Sequence, residues 1–289
     1  MLKVATVELP PATLEPRKMN RPRMSLLWAA FFACSSLVPY LSSAQTIANK
    51  KQIIRDARKA YYNLRSEGFA EFQCSVNPNW EALLADLSKS DPDEAGRALK
   101  TLNKLRFNAR LGRDGKVLLT HNDLDAQDRQ MADALRQIYS GMEQMISGFF
   151  DTWSLFMLYR PFPEVESQYQ LKVLGPDYLL SYKDGPETDV TTTMSKDFAI
   201  RHVRVKTTEV DSSIQPKFTR TPKGLLFNSY EASTEAGAPV ESAQLKVQIG
   251  YQEVEGLLLV QELTLSGTYG RSPFAMEVTF SDCTVTRKP

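Results

Sequence analysis

His121 and His202 are the only histidines in the 289 residues, and three cysteines accompany them. A metal site draws several His, Cys or carboxylate ligands from close spacings. Neither HExxH nor CxxC occurs here, so no metal site is expected. A serine nucleophile needs a base and an oxyanion hole. There is no GxSxG, and Ser140-Gly141 and Ser147-Gly148 fall inside a helical pattern where packing explains them. Asp184, Glu187 and Asp189 cluster around a turn at Gly185, as solvated carboxylates do. No glycine-rich loop follows a strand and opens a helix, which removes the nucleotide-binding fingerprints. Arg204 and Lys206 share one face of a strand, with Arg201 on the other. A solvated sheet face is the simpler reading, and a site for anionic lipid headgroups the functional one. The expectation is a chain that is not an enzyme and carries no cofactor. A hydrolase would require His121 or His202 beside a carboxylate in a polar cleft.

The cysteines divide by position. Lys18, Arg21 and Arg23 precede an apolar run at residues 24–34, and Ser42-Ser43-Ala44 offers the small residues of a cleavage site. Residues 1–44 therefore read as a cleavable signal peptide cut after Ala44, with Met19 or Met24 as alternative starts. The apolar run is short for a membrane span of about 20 residues. Cys34 follows Ala33 as in a lipid-attachment site, but the bulky Phe31 and Phe32 disfavour lipoprotein anchoring. The expected compartment is periplasmic or secreted. The segment holds five of the 35 basic and two of the 34 acidic residues, so the remainder has 30 and 32, a net charge of −2. That balance argues against nucleic acid as a partner. Cys74 and Cys283 remain, and an oxidising compartment implies one disulfide tying the first strand to the last. Alternation from Phe274 puts Cys283 on the wrong face, so the bridge requires a bulge near Ser281 and Asp282.

The elements that would position any site follow from periodicity. Residues 46–64 read as an amphipathic helix, with Ile47, Ile54, Ala57, Tyr61 and Leu64 on one face. Residues 69–76 alternate as a strand. Asn79 is an N-cap before a helix carrying Trp80, Leu83, Leu84 and Leu87. Asp91-Pro92 with Glu94 opens a second helix, whose short apolar face is Ala98, Leu99 and Leu102. Residues 105–111 and 116–120 form a hairpin. Asn122 and Asp123 are expected to cap a long helix over residues 131–159, which Pro161 and Pro163 end. Gly141 and Gly148 mark a kink or break within it. About seven strands follow, separated by short turns and so antiparallel. Helices segregated from strands give an α+β class. The expected arrangement is a single domain over residues 45–289, helix-rich to about residue 161 and strand-rich beyond.

The long helix is the candidate ligand-lining element. Met131, Leu135, Ile138, Met142, Met145, Phe149, Trp153 and Phe156 form one stripe, and Phe150 and Met157 widen it toward the end. Such a helix is buried or covers something apolar. Methionine is flexible and polarisable and suits a surface that accepts varied apolar partners. The same stripe equally describes plain core.

The closing strands carry a resemblance. Gln248-Ile-Gly-Tyr-Gln-Glu-Val-Glu-Gly256 with its apolar restart, then Glu262-Leu-Thr-Leu-Ser266, then Phe274-Ala-Met-Glu-Val-Thr-Phe280 and Ser281-Asp-Cys283, resemble the last hairpins of the periplasmic lipoprotein-carrier family and its lipid-binding relatives. The amphipathic helix leading into Gly68-Phe-Ala-Glu-Phe72 is similar to the start of that family. The chain departs from it at residues 258–260, where a proline usually follows the turn, and in its long helical insertions. The resemblance implies a strongly curved antiparallel sheet, an incomplete β-barrel with helices on its concave face. It also implies an apolar cavity that holds an acyl chain, a lipid or a lipoprotein, with transient membrane contact. The expected ligand-binding residues are then Met142, Met145, Phe149, Phe150, Trp153, Phe156 and Met157. A structural or protein-interaction module with a filled core is the alternative.

Overall fold

The structure, a computed structural model, describes residues 41–126, 128–208, 210–236, 243–269 and 272–288. The expected signal peptide lies outside the described residues as far as residue 40, and Cys34 with it. Helix α1 (Leu41–Lys59) runs through the bond after Ala44 and buries Ile54 and Ala57. Its apolar spacing continues through Tyr61 and Leu64, yet the helix stops at Lys59, short of the expected residue 64. There the backbone turns to pair instead. The Tyr62 N–H donates to the Leu225 carbonyl at 3.1 Å, and the Leu225 N–H to the Ala60 carbonyl at 2.8 Å. Gly224 permits this approach, because a Cβ there would lie 2.8 Å from the Ala60 oxygen.

Strand β1 (Phe69–Pro78) buries Phe72, Cys74 and Val76 as its alternation requires. The Asn79 side chain accepts from the Ala82 N–H at 3.1 Å and caps α2 (Trp80–Leu83). The expected single helix breaks at Leu84, and α3 (Ala85–Ser90) follows. Asp91 caps α4 (Pro92–Leu102) by accepting from the Glu94 N–H at 2.9 Å. The hairpin is β2 (Phe107–Gly112) and β3 (Val117–His121).

Asp128, rather than Asn122 or Asp123, caps the long helix, accepting from the Met131 N–H at 2.8 Å. Asn122 is engaged elsewhere, accepting from the Arg106 N–H at 2.7 Å and donating to the Lys104 carbonyl. Helix α5 (Arg129–Ser154) passes through Gly141 and Gly148 without the expected break. Its last turn widens into a π-helix, Leu155–Tyr159. Arg160 then takes a φ of 69°, outside the helical region, and Pro161 follows as the expected end of the helix.

Nine strands follow among the described residues, against about seven expected. They are β4 (Tyr169–Leu174), β5 (Asp177–Lys183), β6 (Asp189–Ser195), β7 (Ile200–Lys206), β8 (Val210–Thr221), β9 (Gly224–Ala236), β10 (Ala243–Val254), β11 (Leu257–Tyr269) and β12 (Ser272–Arg287). Strand β8 has no counterpart in the sequence expectation. It carries Pro216, next to a register shift at Lys217 and Phe218, where a proline is tolerated within a sheet.

All twelve strands join one antiparallel sheet in the order β3-β2-β1-β12-β11-β10-β9-β8-β7-β6-β5-β4. It is a meander save for one junction, where β1 meets β12. The two edge strands, β3 and β4, are consecutive in the chain, which returns from one edge to the other through α5. At the junction Gln73 faces Thr284 and Ser75 faces Ser281, so Asp282 and Cys283 both stand opposite Cys74. Asp282 has a φ of 53°. This is the bulge the disulfide requires, and Cys74–Cys283 is formed, with Cα atoms 4.2 Å apart. No helix among the described residues is long and apolar enough to cross a membrane.

Candidate functional site

The C-terminal half of α5 is held against the sheet by both ring packing and polar ties. Phe150 is fully buried, with its ring centroid 5.6 Å from Phe72 on β1, 5.8 Å from Phe280 on β12 and 5.7 Å from Trp153. Phe156 stacks on Phe227 of β9 at 4.4 Å. The Trp153 indole N–H donates to the Tyr251 hydroxyl at 3.2 Å. That hydroxyl donates to the Phe227 carbonyl, with the Met157 sulfur at 3.9 Å. Burial pushes the Tyr251 phenol far above its ordinary range, so it stays a neutral donor. Carbonyls at the end of the helix are satisfied by the α1–β1 connection. The Leu64 N–H reaches the Met157 oxygen at 2.9 Å, and the Asn63 amide reaches that of Leu158 at 3.0 Å.

Of the seven expected ligand-lining residues, Met142, Phe149, Phe150, Trp153, Phe156 and Met157 are buried, and Met145 is partly buried. They come together as the inward side of α5 and the π-helix. Their neighbours are protein side chains, and none of the seven lines a described pocket.

Open apolar space lies at the other end of α5. A groove of about 600 Å³ runs between α2 and α4 on one side and the first turns of α5 on the other. Trp80, Leu83, Leu84, Ala98 and Leu102 form one wall, and Met131, Leu135 and Ile138 the other. Glu94, Arg97, Asp128 and Gln130 stand at its rim. Leu83 is 45% exposed, a large apolar side chain left in this groove. The volume falls within the range of about 300–1,000 Å³ usual for small-molecule sites. Sequence reasoning placed each wall on its own helix but not the two together. The signal the sequence offered was local, the apolar faces of Leu83 and Leu84 and of Ala98 and Leu102.

The histidines lie apart. The His121 ring stacks on Tyr139 at 3.7 Å and stands 3.6 Å from Asp123. His202, on β7, has its Nε2 2.7 Å from the Ser213 hydroxyl on β8. Among the described residues no three His, Cys, Asp or Glu side chains are grouped to hold a metal ion. Arg201 pairs with Asp177 at 3.6 Å, and the Arg204 Nε donates to Asp211 at 2.7 Å. Comparison of the chain with protein families, with characterised proteins and with solved structures found no match.

Proposed function

We propose that the protein is an exported binding protein that holds a lipid acyl chain by burial rather than by chemistry, in the groove between α2, α4 and α5. The observation that carries this reading is the apolar groove of about 600 Å³ with Leu83 exposed in it. Each methylene removed from water there contributes about 0.8 kcal/mol. The groove's α5 wall, Met131, Leu135 and Ile138, continues one turn on as Met142 and Met145. Their flexible side chains let a longer chain reach toward Phe149. Phe150, Trp153, Phe156 and Met157 lie beyond the groove, in packed core. Arg97 at the rim suits a carboxylate or phosphate headgroup. In this reading the open sheet is an incomplete barrel of lipoprotein-carrier type, with the helices on its concave face.

The packed rings around Phe150 favour a second reading, a protein-interaction module with a filled core. Titration with a fluorescent fatty acid separates the two. The first reading expects saturable binding that Ala134→Trp weakens at least about tenfold. Ala134 is exposed and lines the groove, so an indole there obstructs the site without entering the core. Absence of saturable binding, or binding that ignores Ala134→Trp, favours the module.

A further inference from the structure

Strand β4 ends the sheet and has no neighbour on its outer side among the described residues. Val173 and Leu174, adjacent on this strand, are 63% and 52% exposed. A free edge with apolar side chains is a template for another strand. Which backbone groups it offers follows from register. Leu174 faces Asp177 across the two-residue turn Gly175-Pro176, where Gly175 has a φ of 58°. The residues flanking such a turn form a hydrogen-bonded pair. The next hairpin agrees. The Asp184 N–H bonds the Thr188 carbonyl at 2.9 Å, so in the same register Tyr182, Leu180 and Tyr178 bond β6. Residues 177, 179 and 181 are left to bond β4 through Leu174, Lys172 and Gln170. The N–H and C=O groups of Tyr169, Leu171 and Val173 therefore point out of the sheet.

We propose that a second copy of this chain adds to this edge, β4 against β4, antiparallel about a twofold axis at Leu171. Registers centred on Gln170 or Lys172 pair only two of the three outward residues a side, and the second sets Lys172 against its own copy, whereas centring on Leu171 pairs all three. Leu171 then faces its own copy, and Tyr169 faces the second copy's Val173, with about six hydrogen bonds between the strands. An aromatic beside a β-branched residue is a favourable cross-strand pair, and it covers the exposed Val173. On the other face Lys172 meets the second copy's Gln170, so no like charges oppose each other. Three outward residues a side make a small interface, so the dimer dissociates on the order of micromolar concentrations or above.

Sedimentation velocity of the purified protein over a concentration series tests this, with Gln170→Glu, Gln170→Lys and Val173→Pro. Gln170 is exposed, and the Val173 N–H bonds nothing within the chain's own sheet in this register. Circular dichroism confirms that each variant folds. A monomer–dimer equilibrium is expected. Gln170→Glu places a carboxylate opposite Lys172 and tightens it on the order of fivefold, Gln170→Lys weakens it by a similar factor, and Val173→Pro abolishes it. A monomer at every concentration, open-ended growth, or a dimer unmoved by these substitutions overturns the proposal. Capture of an extended peptide in place of a second copy overturns it as well.

Discussion

Truncating Phe150 to alanine asks whether α5 is seated on packed core or over empty space. Phe150 is fully buried, and its ring meets Phe72, Phe280, Trp153 and Phe149, the last at 4.9 Å. These neighbours come from β1, β12 and α5 itself. β1 and β12 are also cross-linked through Cys74–Cys283. No single element can shift to fill the hole, so the cost belongs in the range of about 3–5 kcal/mol for losing a buried phenylalanine. The lost ring pairs, each worth about 0.5–1.5 kcal/mol, are part of that figure rather than additional to it. Equilibrium urea unfolding with the disulfide intact measures it, through a lower midpoint at unchanged slope. A loss below about 1 kcal/mol would refute the reasoning, because a ring lining a vacant cavity gives up few contacts. The open space of the groove would then have to extend as far as Phe150.

Four other outcomes follow. Cys74→Ala with Cys283→Ala opens a link spanning 209 residues of chain, and unfolding in urea should show a loss of about 5 kcal/mol at most; an unchanged midpoint would contradict the link. Tyr251→Phe leaves the buried Trp153 N–H without its acceptor and should cost about 1–3 kcal/mol in the same assay. Gly141→Ala and Gly148→Ala should each raise stability by about 0.5–1 kcal/mol, since a Cβ at either position meets nothing within 4 Å. Burial pushes the Tyr182 and Tyr230 phenols up to about 12 in the folded chain. Both states keep these protons below pH about 10, so stability is full there. It falls as pH rises from about 10 toward 12, because the unfolded chain ionises first. Phenolate absorbance from these two tyrosines at pH about 11 should therefore rise several-fold on unfolding.

Local signals carried much of the fold. Asp91, Pro92 and Glu94 marked a helix start that depends only on neighbouring residues, and it formed there. The face conflict at Cys283 required a bulge at Ser281 and Asp282, and the strand pairing contains it. Features set by distant partners were not legible. Tyr61 and Leu64 continue a helical spacing, but the backbone leaves the helix to pair with Leu225, more than 150 residues on. Asn122 has the chemistry of a cap, yet its side chain is taken by residues 104 and 106. Strand β8 has the turn-like residues Asp211, Ser212 and Ser213 near its start and contains Pro216, so it reads as a loop until β7 and β9 flank it. The groove was hidden for the same reason. The apolar faces of α2 and α4 were each visible, but their meeting with Met131 and Leu135 is a tertiary fact.

Photo-crosslinking with a diazirine fatty acid, followed by peptide mapping, tests the proposed acyl-chain site most directly. Labelling should concentrate on the walls formed by Leu83, Leu84, Ala98, Met131 and Ile138, and disappear in Ala134→Trp. Labelling spread over the protein surface, or confined to segments away from α2, α4 and α5, would contradict it.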